Sequence, residues 1–253
     1  MERTYLTGYI SVYSALKAGN REVYTVLFDR NRFDKVMKGK FHQTEKRQYS
    51  LLKALCKEKG VPFGFVSLEG NDELYGKESG GIVAEVGERI FMSAETLLDK
   101  EKPYFAAIDG IEDPYNFGQV LRSFYASGIN GVIIPKRNFF TASAVVTRAS
   151  AGASELLDIC AVDSMEQFCD MAKEKGIRLL ATAADKEAMD LFTTEFSRPL
   201  CIFLGGERRG ISKKVMEKCD GTVCIKYPRN VSIALSASSA AAVVAFEIGR
   251  RIN

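Results

Sequence analysis

Short apolar runs recur along the later part of the chain, at residues 105–108, 132–134, 179–183, 201–204 and 223–227, with helix-spaced stretches between them. Runs that are apolar at successive positions, rather than alternate ones, read as strands buried on both faces. Strands alternating with helices imply a parallel sheet covered on both sides. Such sheets bind ligands beyond the carboxyl ends of their strands, so the loops after Ile108, Leu204 and Tyr227 are where a site is expected. The preceding residues read as a smaller α/β unit. Val12, Ala15 and Leu16 mark a short helix closed by Gly19; strands are expected over 23–28, 63–66 and 82–86, and a helix over 49–59. The polar, charged stretch 93–102, ending at Pro103, is the expected linker and divides the chain into domains 1–97 and 98–253.

Composition narrows the chemistry. There is one histidine, His42, and no tryptophan. A site with two His metal ligands is excluded, and a triad-type nucleophile would have to use His42. The six cysteines form no CxxC pair, so no zinc site is expected. Scattered cysteines without a secretory signal suit a reducing, cytoplasmic setting. No uncharged apolar run approaches the roughly 18 residues of a membrane span. Lys plus Arg number 35 against 32 for Asp plus Glu, and a net charge of +3 exerts no global pull toward nucleic acid. The balance hides a local excess, since residues 30–59 carry ten basic and three acidic side chains. Neutralising phosphates requires such a cluster, and Lys53, Lys57 and Lys59 are its candidate RNA contacts. A solvated helix face is the competing assignment.

Three loops carry the rest. The first, DGIEDPYNFGQVLRS (109–123), opens a helix: Pro114 fixes its own φ, Asn116 is a candidate cap, and Phe117, Val120, Leu121 and Phe124 form a stripe at i, i+3, i+4 and i+7. Arg122 lies at the border of that stripe, where it can bury its stem and turn its fork into a cleft; alternatively it pairs with Asp109 or Asp113. The second, LGGERRGIS (204–212), sets two glycines directly after a strand, where a ligand can approach the backbone. It matches neither GxGxxG nor GxxxxGK[ST], so dinucleotide-dependent oxidoreductase and P-loop readings fail. The third (225–249) is irregular around Pro228 and then enters a helix of mainly Ala, Ser and Val, which must be buried. Ser232, Ser236, Ser238 and Ser239 cluster at its start.

In this order, each after a strand of one sheet, the loops resemble the motifs of the SpoU (TrmH-type) family of RNA ribose methyltransferases in the SPOUT superfamily. DPYNFGQVLRS is similar to the first motif, Asn-x-Gly-x-x-x-Arg; IFLGGERRGIS is similar to the second; the strand reaching Ile225 and the segment ALSAS are similar to the third. GYISVYSAL and ESGGIVAEV resemble the small substrate-binding domain that many members carry. The resemblance implies an α/β catalytic domain with a deep trefoil knot at its C-terminal end, an exception to the unthreaded connections of most folds. It also implies a homodimer, RNA as partner with rRNA favoured over tRNA, and S-adenosylmethionine as cofactor, its methyl group passing to a ribose 2′-hydroxyl.

By position, the resemblance implies cofactor contacts at Thr182, Gly205, Gly206, Ile225 and Leu235, mostly through backbone atoms. It implies catalytic roles for Arg122, Asn116, Glu207, Ser236 and Ser238. Arginine keeps its proton at ordinary pH. Arg122 is therefore expected to grip an RNA phosphate and stabilise charge developing on the ribose oxygen, with Asn116 orienting it and Glu207 holding the geometry. The third motif departs from the family's usual Ser-Leu-Asn-Val-Ser, because Ala234 and Ser236 stand at the first Ser and the Asn. Lys226 and Tyr227 likewise replace a proline and methionine. The alternative this raises is a non-catalytic RNA-binding or ribosome-assembly factor on the same fold.

Overall fold

A computed structural model describes residues 4–39, 42–67, 79–136, 143–185, 187–206, 209–229 and 234–252. The chain forms two compact units, Met1–Ile90 with Phe140–Leu156, and Phe91–Phe139 with Leu157–Asn253. No helix among the described residues is long and apolar enough to cross a membrane.

In the first unit β1 (Thr4–Thr7) leads through α1 (Tyr9–Ala18), β2 (Val23–Asp29), α2 (Arg30–Met37), α3 (Gln43–Lys59) and β3 (Phe63–Val66) to β4 (Ile82–Val86). The strands lie in the order β1-β4-β2-β3, with β4 antiparallel to both neighbours and β2 parallel to β3. Leu6, Val12, Val26, Phe28, Leu52 and Cys56 are fully enclosed between the sheet and its helices. Burying one such large apolar side chain contributes about 1.5–3 kcal/mol. The three expected strands are present. Helix α3 starts six residues earlier than its apolar spacing suggests, and α2, which is not among the expected helices, packs Phe33, Val36 and Met37 on the core at i, i+3 and i+4. What starts α2 is Asp29, whose carboxylate accepts the Arg32 N–H at 2.7 Å.

The second unit begins with α4 (Ala94–Leu98), in the stretch expected as a linker. Ser93 caps it, and Leu97 and Leu98 are buried beside Phe105 and Phe168. A charged segment can still dock a single helical turn through two adjacent leucines, and the boundary between units accordingly falls after Ile90 rather than after residue 97. Then come β5 (Tyr104–Asp109), α5 (Pro114–Ser127) and β6 (Gly131–Pro135). Helices α6 (Ser143–Ala149) and α7 (Ala153–Leu156) belong to the first unit, where the buried Glu155 pairs with Arg21. The second unit continues with β7 (Ile159–Val162), α8 (Met165–Glu174), β8 (Arg178–Thr182), β9 (Met189–Asp190), β10 (Leu200–Gly205), α9 (Lys213–Lys218), β11 (Gly221–Cys224) and α10 (Ala237–Ile252).

Its seven strands are all parallel, in the order β7-β6-β5-β10-β8-β11-β9. The chain builds outward from β5 to β7, crosses back to β8, and inserts β10 between β5 and β8. A change of direction of this kind opens a crevice at the carboxyl edge. There Gly205 and Asp109, the last residues of β10 and β5, lie side by side in register. The knot implied by the resemblance concerns the C-terminal stretch, in which 207–208 and 230–233 lie outside the described residues.

Candidate functional site

Helix α5 supplies the first wall. Its cap is Asp113 rather than Asn116: the Asp113 carboxylate accepts the Asn116 N–H at 2.8 Å, and Pro114 occupies the first turn. Asp113 is the residue just before the helix, with extended backbone, which is where a side-chain oxygen reaches the third amide; Asn116 carries that amide. The stripe of Phe117, Val120, Leu121 and Phe124 is completely buried, as its spacing predicts. Arg122 is exposed and makes no hydrogen bond or ion pair among the described residues, with Asp109 and Asp113 included. Asn116 and Arg122 are six residues apart, about 9 Å along the helix and about 120° around it.

The loops after β5 and β10 lock together through their backbones. The Gly206 N–H donates to the Asp109 carbonyl at 2.9 Å, and the Gly206 carbonyl accepts the Gly210 N–H at 3.0 Å. A Cβ on Gly206 would lie 1.8 Å from the Gly110 oxygen, and one on Gly205 would lie 2.5 Å from the Gly210 carbonyl carbon. These glycines are therefore required for the approach of one backbone to another, a demand the bare sequence does not show. Asp109 is buried, and its carboxylate accepts the Ser212 N–H at 3.4 Å. Beside this junction is a cleft of about 490 Å³, lined by Gly110, Glu112, Asp113, Asn116, Arg209 and Ala237 among others. Arg209 escapes the sequence reading, although the run Glu-Arg-Arg after two glycines is the available signal. Glu207 lies outside the described residues.

The remaining candidates fall into distinct roles. The Thr182 hydroxyl donates to the Phe203 carbonyl at 3.1 Å, tying β8 to β10. Ile225 follows β11 directly, is half-buried, and has no hydrogen bond on its backbone among the described residues. The Leu235 N–H donates to the Tyr227 hydroxyl at 3.1 Å, bridging the two ends of the third loop. Ser236 caps α10, its hydroxyl accepting the Ser239 N–H at 3.2 Å, and it sits 3.2 Å from the hydroxyl of the buried Ser238. Ser232 lies outside the described residues. In the first unit the Lys53 ammonium stands 5.3 Å from the Phe33 ring centre and 5.7 Å from those of Phe63 and Phe65. Lys57 and Lys59 are exposed in the last turn of α3. Burial pushes the thiols of Cys160 and Cys169 up to about 11 and that of Cys219 up to about 12, so none of these three offers a thiolate near neutral pH.

A parallel sheet with its direction change at β5 and β10, and a cleft built from the loops at that edge, defines a ligand-binding α/β domain. The sequence profile of the SpoU rRNA Methylase family matches residues 103–246, and the chain belongs to that family, whose members are S-adenosylmethionine-dependent RNA methyltransferases. It is 28% identical, over 100% of its own length and 97% of the relative's, to YacO of Bacillus subtilis (strain 168), named a TrmH family tRNA/rRNA methyltransferase. Its fold is similar to the SpoU methyltransferase AviRb from Streptomyces viridochromogenes, solved with AdoMet: TM-score 0.77 at 21% identity, covering 98% of this chain and 90% of that one. It is also similar to a solved RNA 2′-O ribose methyltransferase, with TM-score 0.74 at 23% identity, covering 98% and 88%.

Proposed function

We propose that this protein transfers the methyl group of S-adenosylmethionine to a ribose 2′-hydroxyl of RNA, with rRNA as the favoured substrate, and that it acts as a homodimer. The observation that carries the reading is the cleft of about 490 Å³ where the loop after β5 meets the loop after β10. Small-ligand sites span roughly 300–1,000 Å³. The residues present fit the cofactor. Ile225 offers a backbone N–H and carbonyl that have no partner among the described residues next to the carboxyl edge, which suits an adenosine held by main-chain hydrogen bonds. Thr182, its proton already committed to Phe203, retains only acceptor capacity. When bound, the cofactor supplies the electrophilic methyl group.

The chain's own contribution is electrostatic. Arg122, exposed and without a partner among the described residues, is available to a phosphate arriving from solvent, and its fixed charge stabilises the oxygen as its proton leaves. Asn116 and Arg209 line the cleft and hold the substrate's polar groups. The dimer reading rests on α5 and α10, which pack together and leave Tyr115, Tyr125 and Phe246 exposed at 60%, 48% and 50%. Large exposed apolar groups on one helix pair mark a protein contact. Arg122 lies about 20° from Tyr115 around α5, so the same interface would carry it.

A second reading, a non-catalytic RNA-binding assembly factor, is favoured by one observation: the Ser236 hydroxyl is already used to cap α10. Incubation with methyl-labelled S-adenosylmethionine and fragmented rRNA and tRNA pools, with mass mapping of the product, separates the two. Label on the ribose of an rRNA fragment supports the proposal. Label only on tRNA corrects the substrate. RNA binding with no label and no calorimetric cofactor binding at millimolar concentration overturns it in favour of the second reading.

A further inference from the structure

We propose that RNA is received in the first unit by the outer face of α3, through Lys46, Arg47 and Lys57 with Ser50 and Leu51, and that Lys53 takes no part in it. The proposal rests on the RNA-methyltransferase reading above and says where, on the first unit, the RNA backbone lies.

Helix α3 buries Tyr49, Leu52 and Cys56. At 100° per residue, Lys46, Lys57, Ser50, Ala54, Arg47 and Leu51 fall within an arc of about 140° on the opposite side, and all six are exposed. Lys46 and Lys57 are separated by about 16 Å along the axis, enough to follow several backbone phosphates. The cations on this arc are uncommitted: Lys46, Arg47 and Lys57 have no ion pair among the described residues. Glu45 is turned away to Arg32 at 3.0 Å, leaving Glu58 as the acid on the arc.

The face is also concave. A groove of about 580 Å³ is lined by Gln43, Lys46, Arg47, Ser50 and Leu51. Leu51, 46% exposed, lies among two cations, an amide and a hydroxyl. A purely solvated basic face has no use for an apolar side chain there. RNA matches the combination, because its phosphates take Lys and a two-pronged Arg while a ribose or base face covers the leucine. Lys53 is different in kind. It sits half-buried at the margin of the arc with its ammonium over three phenylalanine rings, closing the edge of the core beside β3.

The test compares the whole chain with a Lys46→Gln/Arg47→Gln/Lys57→Gln variant and with Lys53→Gln, titrating end-labelled bulk tRNA and fragmented rRNA over a salt series. The triple variant is expected to lose tenfold or more in affinity at low salt and to flatten the slope of log K against log salt by about 2, with an unchanged melting temperature. Lys53→Gln is expected to keep the wild-type slope and melt earlier. A triple variant that binds with the wild-type slope overturns the α3 assignment alone, and so does a slope lost through Lys53→Gln. Wild-type protein that binds neither pool, yet binds S-adenosylmethionine in a calorimeter, overturns the RNA reading itself. Binding to phosphatidylglycerol vesicles that is lost in the triple variant, with RNA binding intact, assigns the face to a membrane and overturns the proposal.

Discussion

Arg21 and Glu155 form a two-pronged ion pair across 134 residues of sequence, the guanidinium Nε and Nη2 each donating at 2.9 Å to a different carboxylate oxygen. Both side chains are at most 1% exposed. Thr147 donates to the same carboxylate at 3.1 Å, Arg89 approaches it at 3.6 Å, and the Asn20 amide donates to the Glu155 carbonyl at 2.8 Å. Charges this deeply buried are tolerated only when their hydrogen-bonding capacity is met. The cluster explains why residues 140–156 belong with the first unit although they lie within the sequence of the second.

Removing one partner strands the other in the interior. Glu155→Ala is expected to destabilise the first unit by about 3–5 kcal/mol, read as a fall in the urea midpoint. Arg21→Met combined with Glu155→Leu should recover part of that loss, because no charge of the pair remains to be buried. A Glu155→Ala protein with an unshifted midpoint would contradict the assignment.

Gly206→Ala tests the junction of the two loops. Its Cβ would sit 1.8 Å from the Gly110 oxygen, with backbone on both sides and no flexible side chain to yield. The loops must separate, at a strain of about 1–3 kcal/mol. Calorimetry should show cofactor affinity falling at least tenfold while far-UV circular dichroism stays native.

Arg122→Ala should abolish methyl transfer, about 10²–10³-fold or more for a lost charge-stabilising donor. Cofactor affinity and melting temperature should stay near wild type, since the side chain is exposed and unpaired among the described residues. Arg122→Lys is expected to rescue little, because an ammonium lacks the planar fork. Full activity in the alanine variant would remove Arg122 from the mechanism.

Asp113 has a separable role as a cap. Asp113→Ala leaves the Asn116 N–H without its 2.8 Å partner and should cost about 0.5–2 kcal/mol of stability. Asp113→Asn should restore most of it, because the amide oxygen accepts the same bond. Thermal melts of the two variants decide the point.

The pH dependence follows from the buried thiols. Burial raises Cys56, Cys160 and Cys169 from an ordinary value near 9 to about 11. With the folded value above the unfolded one, the native state holds more protons between the two, so stability falls as pH rises there. The contribution is complete below about pH 9 and is lost as pH climbs through 11. Urea midpoints should be flat toward pH 8 and decline above 9, and replacing Cys169 with alanine should make that decline shallower.

Part of this was legible without coordinates. The successive apolar residues at 105–108 and 201–204 announce buried strands, and the spacing of Phe117, Val120, Leu121 and Phe124 announces α5 and its buried side. Helix α2 was harder to read, because its apolar stripe is only Phe33, Val36 and Met37 within eight residues, amid four basic or acidic neighbours, and its start depends on the cap at Asp29. Helix α4 was not legible, because the charges of the stretch 93–102 around it outnumber its two docking leucines. The glycines after β10 were legible as special positions but not for their reason, since what crowds Gly206 is the oxygen of Gly110, nearly a hundred residues away. Lys53 and Lys57 look equivalent in the sequence; three phenylalanine rings from two other elements distinguish them.

The sequence by itself determined the sheet type, the buried side of α5 and the family motifs. Each of these is carried by neighbours along the chain, where a period of two or 3.6 residues translates directly into burial. Tertiary structure decided the rest: that β10 lies between β5 and β8, that Arg209 and Asn116 line one cleft, and that Glu155 answers Arg21. Those relations join residues from 22 to 134 positions apart. No local periodicity encodes them; they follow from the strand order that buries every apolar strand at once.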